Sequence, residues 1–72
     1  MSLQEVANKI FMGKDIKTQY IGFYEEDENG KPKQIIPDYA DEILETHADC
    51  EVTDYQYVEK HQCLVVALKE GK

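Results

Sequence analysis

Five consecutive apolar residues near the carboxyl end, Leu64-Val65-Val66-Ala67-Leu68, constrain this chain more than anything else in it. A strand alternates its side chains between two faces, so an unbroken apolar run fills both. It predicts a strand that is central or covered, and the other segments must supply the cover. The chain has 72 residues, so residues 1–72 form one small domain with a limited core. A fold of this size gains from a partner surface, and a homo-oligomer is expected.

The first cover is a helix. Ser2 and Glu5 have the spacing of a capping box, in which side chain and backbone satisfy each other's amides. Leu3, Val6, Ala7, Ile10 and Phe11 recur at helical spacing and form one apolar stripe, and Gly13 supplies the stop. Residues 18–26 are rich in β-formers, and Asn29-Gly30 is a favoured two-residue turn. A hairpin centred there sets Glu28 opposite Lys31, Glu26 opposite Lys33, Tyr24 opposite Ile35 and Phe23 opposite Ile36. Unlike charges and like apolar groups then face each other. Pro32 cannot donate to a ladder, which makes the returning strand a short edge strand.

Pro37-Asp38 opens a second helix, with Asp38 as its cap and Asp41 and Glu42 in the first turn. Tyr39, Ala40, Ile43, Leu44 and His47 share one face of it, and the helix should end near Asp49. A second hairpin alternates over residues 51–58, turns at Glu59-Lys60-His61 and returns through residues 62–69. The order is αββαββ. It predicts an α+β fold: a four-stranded antiparallel or mixed sheet with two helices on one face, a circular permutation of the ferredoxin-like βαββαβ order.

Strict alternation assigns faces to the strands. Tyr20, Gly22 and Tyr24 share one side and Ile21 and Phe23 the other, while Tyr55 and Tyr57 oppose Val52 and Val58. With the aliphatic sets turned to the helices, Tyr20, Tyr24, Tyr55 and Tyr57 stand on the helix-free face. Tyrosine is enriched at interfaces, so this face is the expected contact surface. The plainer alternative is that tyrosine suits strands and screens a solvated face with its ring.

Charge narrows the partner. Twelve of the fifteen acidic residues fall within residues 25–59, where Lys31 and Lys33 are the only bases, and the chain has no arginine. Its net charge is −7. Nucleic-acid recognition needs a basic stripe, so direct binding of DNA or RNA is disfavoured and a protein partner, itself or a basic one, is favoured. Glu25, Glu26, Asp27, Glu28, Asp38, Asp41, Glu42 and Glu45 form the candidate acidic surface. They motivate a second reading, an acidic mimic that blocks a DNA- or RNA-binding protein. Solubility is the ordinary use of such acidity.

Catalysis and cofactors are not expected. His47, Cys50, His61 and Cys63 do not have zinc spacing, and the hairpin separates the cysteines by roughly 20 Å at about 3.3 Å per residue. The acidic turn at Glu25 begins like a calcium loop but has Ile36 where a bidentate glutamate belongs. Ser2 is the only serine, and no glycine-rich phosphate cradle follows a strand. Without a signal peptide or an apolar run of membrane length, a cytoplasmic, non-catalytic interaction or regulatory module is the expectation, homodimeric through the tyrosine face.

Overall fold

A computed structural model describes residues 1–26, 28–31 and 36–68. The fold is α+β, with two helices and a four-stranded mixed sheet. Expected features involving Asp27, Pro32, Lys33, Ile35 and Lys69 lie outside the described residues.

Helix α1 spans Leu3–Ile10 and carries the capping box. The Glu5 amide donates to Ser2 Oγ at 3.2 Å, and the Ser2 amide donates to Glu5 Oε1 at 3.0 Å. That reciprocal contact holds the Glu5 carboxyl below its ordinary range, the hydrogen bond from the Ser2 backbone being the largest cause. Two further amides of the first turn find partners across the molecule: Leu3 N–H donates to the Cys50 carbonyl and Gln4 N–H to the Ala48 carbonyl. Ala48 caps the end of the second helix, so at Gln4 an orphan donor of one helix meets an orphan acceptor of the other.

Strand β1 (Tyr20–Phe23) follows a short 3₁₀ turn at Ile16–Thr18. Strand β2 is only Asp38–Tyr39, and helix α2 spans Ala40–His47. The second helix therefore begins one residue later than its sequence suggests. Asp38 is a strand residue rather than the cap, and the cap position, Tyr39, makes no side-chain capping bond. Strand β3 (Val52–Val58) and strand β4 (Cys63–Leu68) are joined by a 3₁₀ turn at Glu59–His61, with Gln62 left-handed at φ 51°.

The order in the sheet is β2-β1-β4-β3. The apolar strand β4 is thus central, parallel to β1 and antiparallel to β3. A ferredoxin-like unit is a split βαβ, which in permuted form would insert a strand between β1 and β4. Here the two are direct neighbours. The reason is compositional: Tyr20-Ile21-Gly22-Phe23 can be buried on both sides, whereas Asp38-Tyr39 tolerates only an edge.

Tyr20 pairs with Tyr39 and Ile21 with Asp38. In each of these pairs, and in each pair expected for the first hairpin, the residue numbers sum to 59. The register is therefore the expected one, observed further from the turn. Ile36 is 87 % exposed, so it does not back Phe23. Gly30 has a φ of 78° while Asn29 is not left-handed, so the tip is not the two-residue turn that needs both residues left-handed.

Both helices cover one face. Leu3, Val6, Ala7 and Phe11 from the α1 segment and Ala40 and Leu44 of α2 pack on Ile21, Val52, Leu64 and Val66. Leu64 is completely buried at the centre. Leu64→Ala is expected to lower stability by about 2–5 kcal/mol, and Ser2→Ala by about 1 kcal/mol, in urea unfolding monitored by circular dichroism.

Candidate interaction face

Sheet pairing fixes which side chains stand together on the helix-free side. Tyr39, Tyr20, Cys63 and Val58 form one row across the four strands, and Gly22, Val65 and Gln56 form the next. Ala67 and Asp54 begin a third, beside Tyr24, whose amide continues the ladder by donating to the Val66 carbonyl. The rings of Tyr20 and Tyr39 stack at 5.4 Å between centroids and 30° between planes. Tyr39 is half exposed, Tyr24 is 39 % exposed, and Val58 and Val65 are half-buried. Tyr20, Pro37, Val58, His61, Cys63 and Val65 line a shallow groove along the first row.

Two of the four expected tyrosines belong here and two do not. Tyr20 and Tyr24 are on the face. Tyr55 and Tyr57 point to the helices, because they pair with Val66 and Leu64, which are fully buried beneath them. A bulge between Val52 and Asp54 causes the reversal. One extra residue shifts the alternation, so that Val52, Tyr55 and Tyr57 share the core side and Val58 moves to the helix-free side. The face also gains Tyr39, which a helical reading of residues 38–40 hides.

Tyr57 has a structural role instead. Its ring meets Phe11 edge-on at 6.2 Å, Lys14 Nζ lies 5.6 Å from its centroid, and its hydroxyl donates to Gln19 Oε1 at 2.6 Å. Gln19 is the one buried polar residue among those described, at 3 % exposure. Its side-chain amide also donates to Thr18 Oγ1, its backbone amide donates to the Ile16 carbonyl, and its carbonyl accepts from the Ala40 amide. Every polar group of Gln19 is satisfied, which is the condition for burying one. Sequence patterning gave no signal for it.

The acidic residues divide into two groups. Glu25, Glu26 and Glu28 are exposed beyond β1, where Glu26 Oε1 accepts from the Tyr24 hydroxyl at 3.2 Å. Partial desolvation and then that carboxylate push the Tyr24 phenol above its ordinary range. Asp38, Asp41, Glu42 and Glu45 interact around the start of α2. The charge of Asp38 above all, then desolvation and the charge of Asp41, hold the Glu42 carboxyl above its ordinary 4.5.

No cluster of three or more His, Cys, Asp or Glu with metal-binding geometry occurs among the described residues. Cys50 and Cys63 are both free thiols. Cys63 opposes Val58 at one end of the β3–β4 hairpin, whereas Cys50 precedes its other end. Burial pushes the Cys63 thiol up, only partly offset by a hydrogen bond from the Gly22 backbone. Its thiolate is disfavoured, contrary to what a nucleophile needs. Among the described residues, no helix is long and apolar enough to cross a membrane. Neither a known protein family, nor a curated protein, nor a solved structure matches this chain.

Two outcomes follow for these side chains. Tyr57→Phe leaves Gln19 Oε1 buried without its donor and is expected to cost about 1–3 kcal/mol in stability, read by urea unfolding. Glu42 has a raised carboxyl in the fold, so its protonation favours the folded state. Glu42→Gln is expected to raise the thermal midpoint at pH 7. That advantage should shrink as pH falls through the raised range toward 4.5, where wild-type Glu42 itself takes up the proton.

Proposed function

We propose that this protein is a non-catalytic interaction module that pairs with a second copy of itself through the helix-free sheet face. One observation carries the reading: stacked Tyr20 and Tyr39, together with Tyr24, Val58 and Val65, form a tyrosine-rich apolar surface that neither helix covers. Across the two complete rows no side chain is charged, and the first charge, Asp54, comes in the third. Two copies that each carry −7 repel, and they meet at least cost where the surface is neutral. A basic partner would be drawn elsewhere. Two free thiols suit a reducing compartment, so a cytoplasmic location belongs to the same proposal. The permuted ferredoxin-like order rests on chain connectivity alone and adds nothing to the functional reading.

A second reading is favoured by one specific feature. Asp38, Asp41, Glu42 and Glu45 crowd like charges tightly enough to raise a carboxyl at the surface. A cationic partner would relieve that repulsion, as an acidic mimic of a nucleic-acid backbone requires. On this second reading a lysine-rich peptide is expected to bind, with affinity that falls steeply with salt and is lost in the triple variant Asp41→Lys, Glu42→Lys, Glu45→Lys.

Sedimentation equilibrium tests the pairing. The wild-type chain is expected to dimerise in a concentration-dependent manner, and Tyr20→Ser with Tyr39→Ser to weaken it at least about tenfold. Tyr57→Phe should leave the dimerisation constant unchanged. A wild-type chain that stays monomeric up to about 1 mM, the weak end of measurable association, would sink the pairing.

A further inference from the structure

We infer that two Asp-Tyr dipeptides, Asp38-Tyr39 and Asp54-Tyr55, close the two edges of the sheet against addition of a strand from a second copy. The sheet order leaves β2 at one edge and β3 at the other. An edge strand presents unpaired amides that template further pairing unless something blocks them. The ladder shows which amides those are. Tyr20 N–H donates to the Gln62 carbonyl, so Tyr20 is directed at β4, and its neighbour Ile21 is directed at β2. Ile21 and Asp38 are therefore the hydrogen-bonded pair, as the Ala40 amide bond to the Gln19 carbonyl confirms one step along. Tyr39 then turns its N–H outward.

The same logic holds on the opposite edge. Gln62 and Val66 carbonyls accept from β1, so Cys63, Val65 and Ala67 are directed at β3. Their partners Val58, Gln56 and Asp54 turn inward, and Tyr55 and Tyr57 turn their amides outward.

At each edge an aspartate folds back onto the tyrosine that follows it. Asp38 Oδ1 accepts from Tyr39 N–H at 2.8 Å, and Asp54 Oδ1 accepts from Tyr55 N–H at 2.9 Å. The outward amide is occupied, and a carboxylate stands where an incoming strand would place its carbonyl. The two edges do not need this equally. β2 has two residues, too few to template a strand, whereas β3 has seven, of which the first, Val52, is already covered because its amide donates to the Met1 carbonyl. On β3 the guard sits mid-strand, next to the bulge, which itself twists an edge away from pairing. Asp54 is the guard whose loss matters.

The test compares Asp54→Ala with Asp54→Asn by sedimentation velocity and by infrared spectroscopy of the amide band. Asparagine keeps the Oδ1 acceptor and loses the charge; alanine loses both. Asp54→Ala is expected to raise self-association at least about tenfold over wild type, with a new intermolecular β-sheet band, since each exposed amide gains an inter-chain bond. Asp54→Asn should remain close to wild type. A folded Asp54→Ala chain that sediments like wild type overturns the inference, and so does an Asp54→Asn chain that associates as strongly as the alanine variant. Amide exchange in the wild type reads the same contact without any substitution. Tyr55 N–H should exchange more slowly than Tyr57 N–H, which also faces outward; equal rates count against the cap.

Discussion

Covering β4 on both sides is the constraint on which the remaining structure depends. Leu64 and Val66 have no exposed surface, and Cys63 on the opposite side is nearly as buried. A strand so apolar cannot lie at an edge, so it needs a neighbour on each side and a helical layer above. β3 is the neighbour supplied locally, through the turn at Glu59–His61. β1 is the neighbour supplied from a distance, and its parallel alignment sets Ile21 beside Leu64 and Phe23 beside Val66. Once β1 takes that inner place, β2 can only be an edge. The layer above is then locked by α1, whose first-turn amides bond to the carbonyls of Ala48 and Cys50 between α2 and β3.

Much of this was legible because it is local or patterned. The capping box at Ser2 and Glu5, the stripe on α1, the central place of β4 and the register of the first hairpin follow from spacing alone. The reversal of Tyr55 and Tyr57 did not, because alternation assumes that no residue is inserted. The bulge is stabilised by a contact that spacing does not encode: Thr53 Oγ1 donates to the Ala67 carbonyl at 3.1 Å, beside the step where the ladder slips. A threonine in a strand ordinarily signals only β-propensity. The start of α2 was misplaced for a related reason. Asp38 after Pro37 has every local mark of a cap, yet its carboxylate serves the Tyr39 amide and its backbone serves Ile21. Tertiary pairing outweighed the capping preference, and Tyr39 passed from a helix face to the sheet face.

Gln19 illustrates a different limit. It is polar, lies in a short connecting segment and is almost fully buried, a combination no periodicity announces. Its four partners come from three separate places: Ile16 and Thr18 in the 3₁₀ turn, Ala40 at the start of α2 and Tyr57 on β3. The residue thus ties the 3₁₀ turn, the start of α2 and β3 to the start of β1. An apolar side chain of similar volume could fill the space without imposing that arrangement. A fully satisfied polar group imposes it, since any other packing leaves a buried donor or acceptor unpaired.

The charge pattern connects these local facts to the proposed pairing. Acid is abundant, but it lies at the sheet edges, in the loop after β1 and around α2, while the two complete rows of the helix-free face carry none. Asp41, Glu42 and Glu45 belong to the helical layer, on the far side of the sheet from that face. If two sheets stack face to face at about 10 Å, the helical layers lie outside them, roughly 10 Å further on each side. The two α2 clusters are then about 30 Å apart, several times the ~8 Å screening length at physiological salt. Repulsion between them is negligible in that geometry. Growth of the sheet is opposed by a separate device, the Asp54 Oδ1 that occupies the outward Tyr55 amide on β3, so pairing through the neutral face and blocking of the edge rest on different groups.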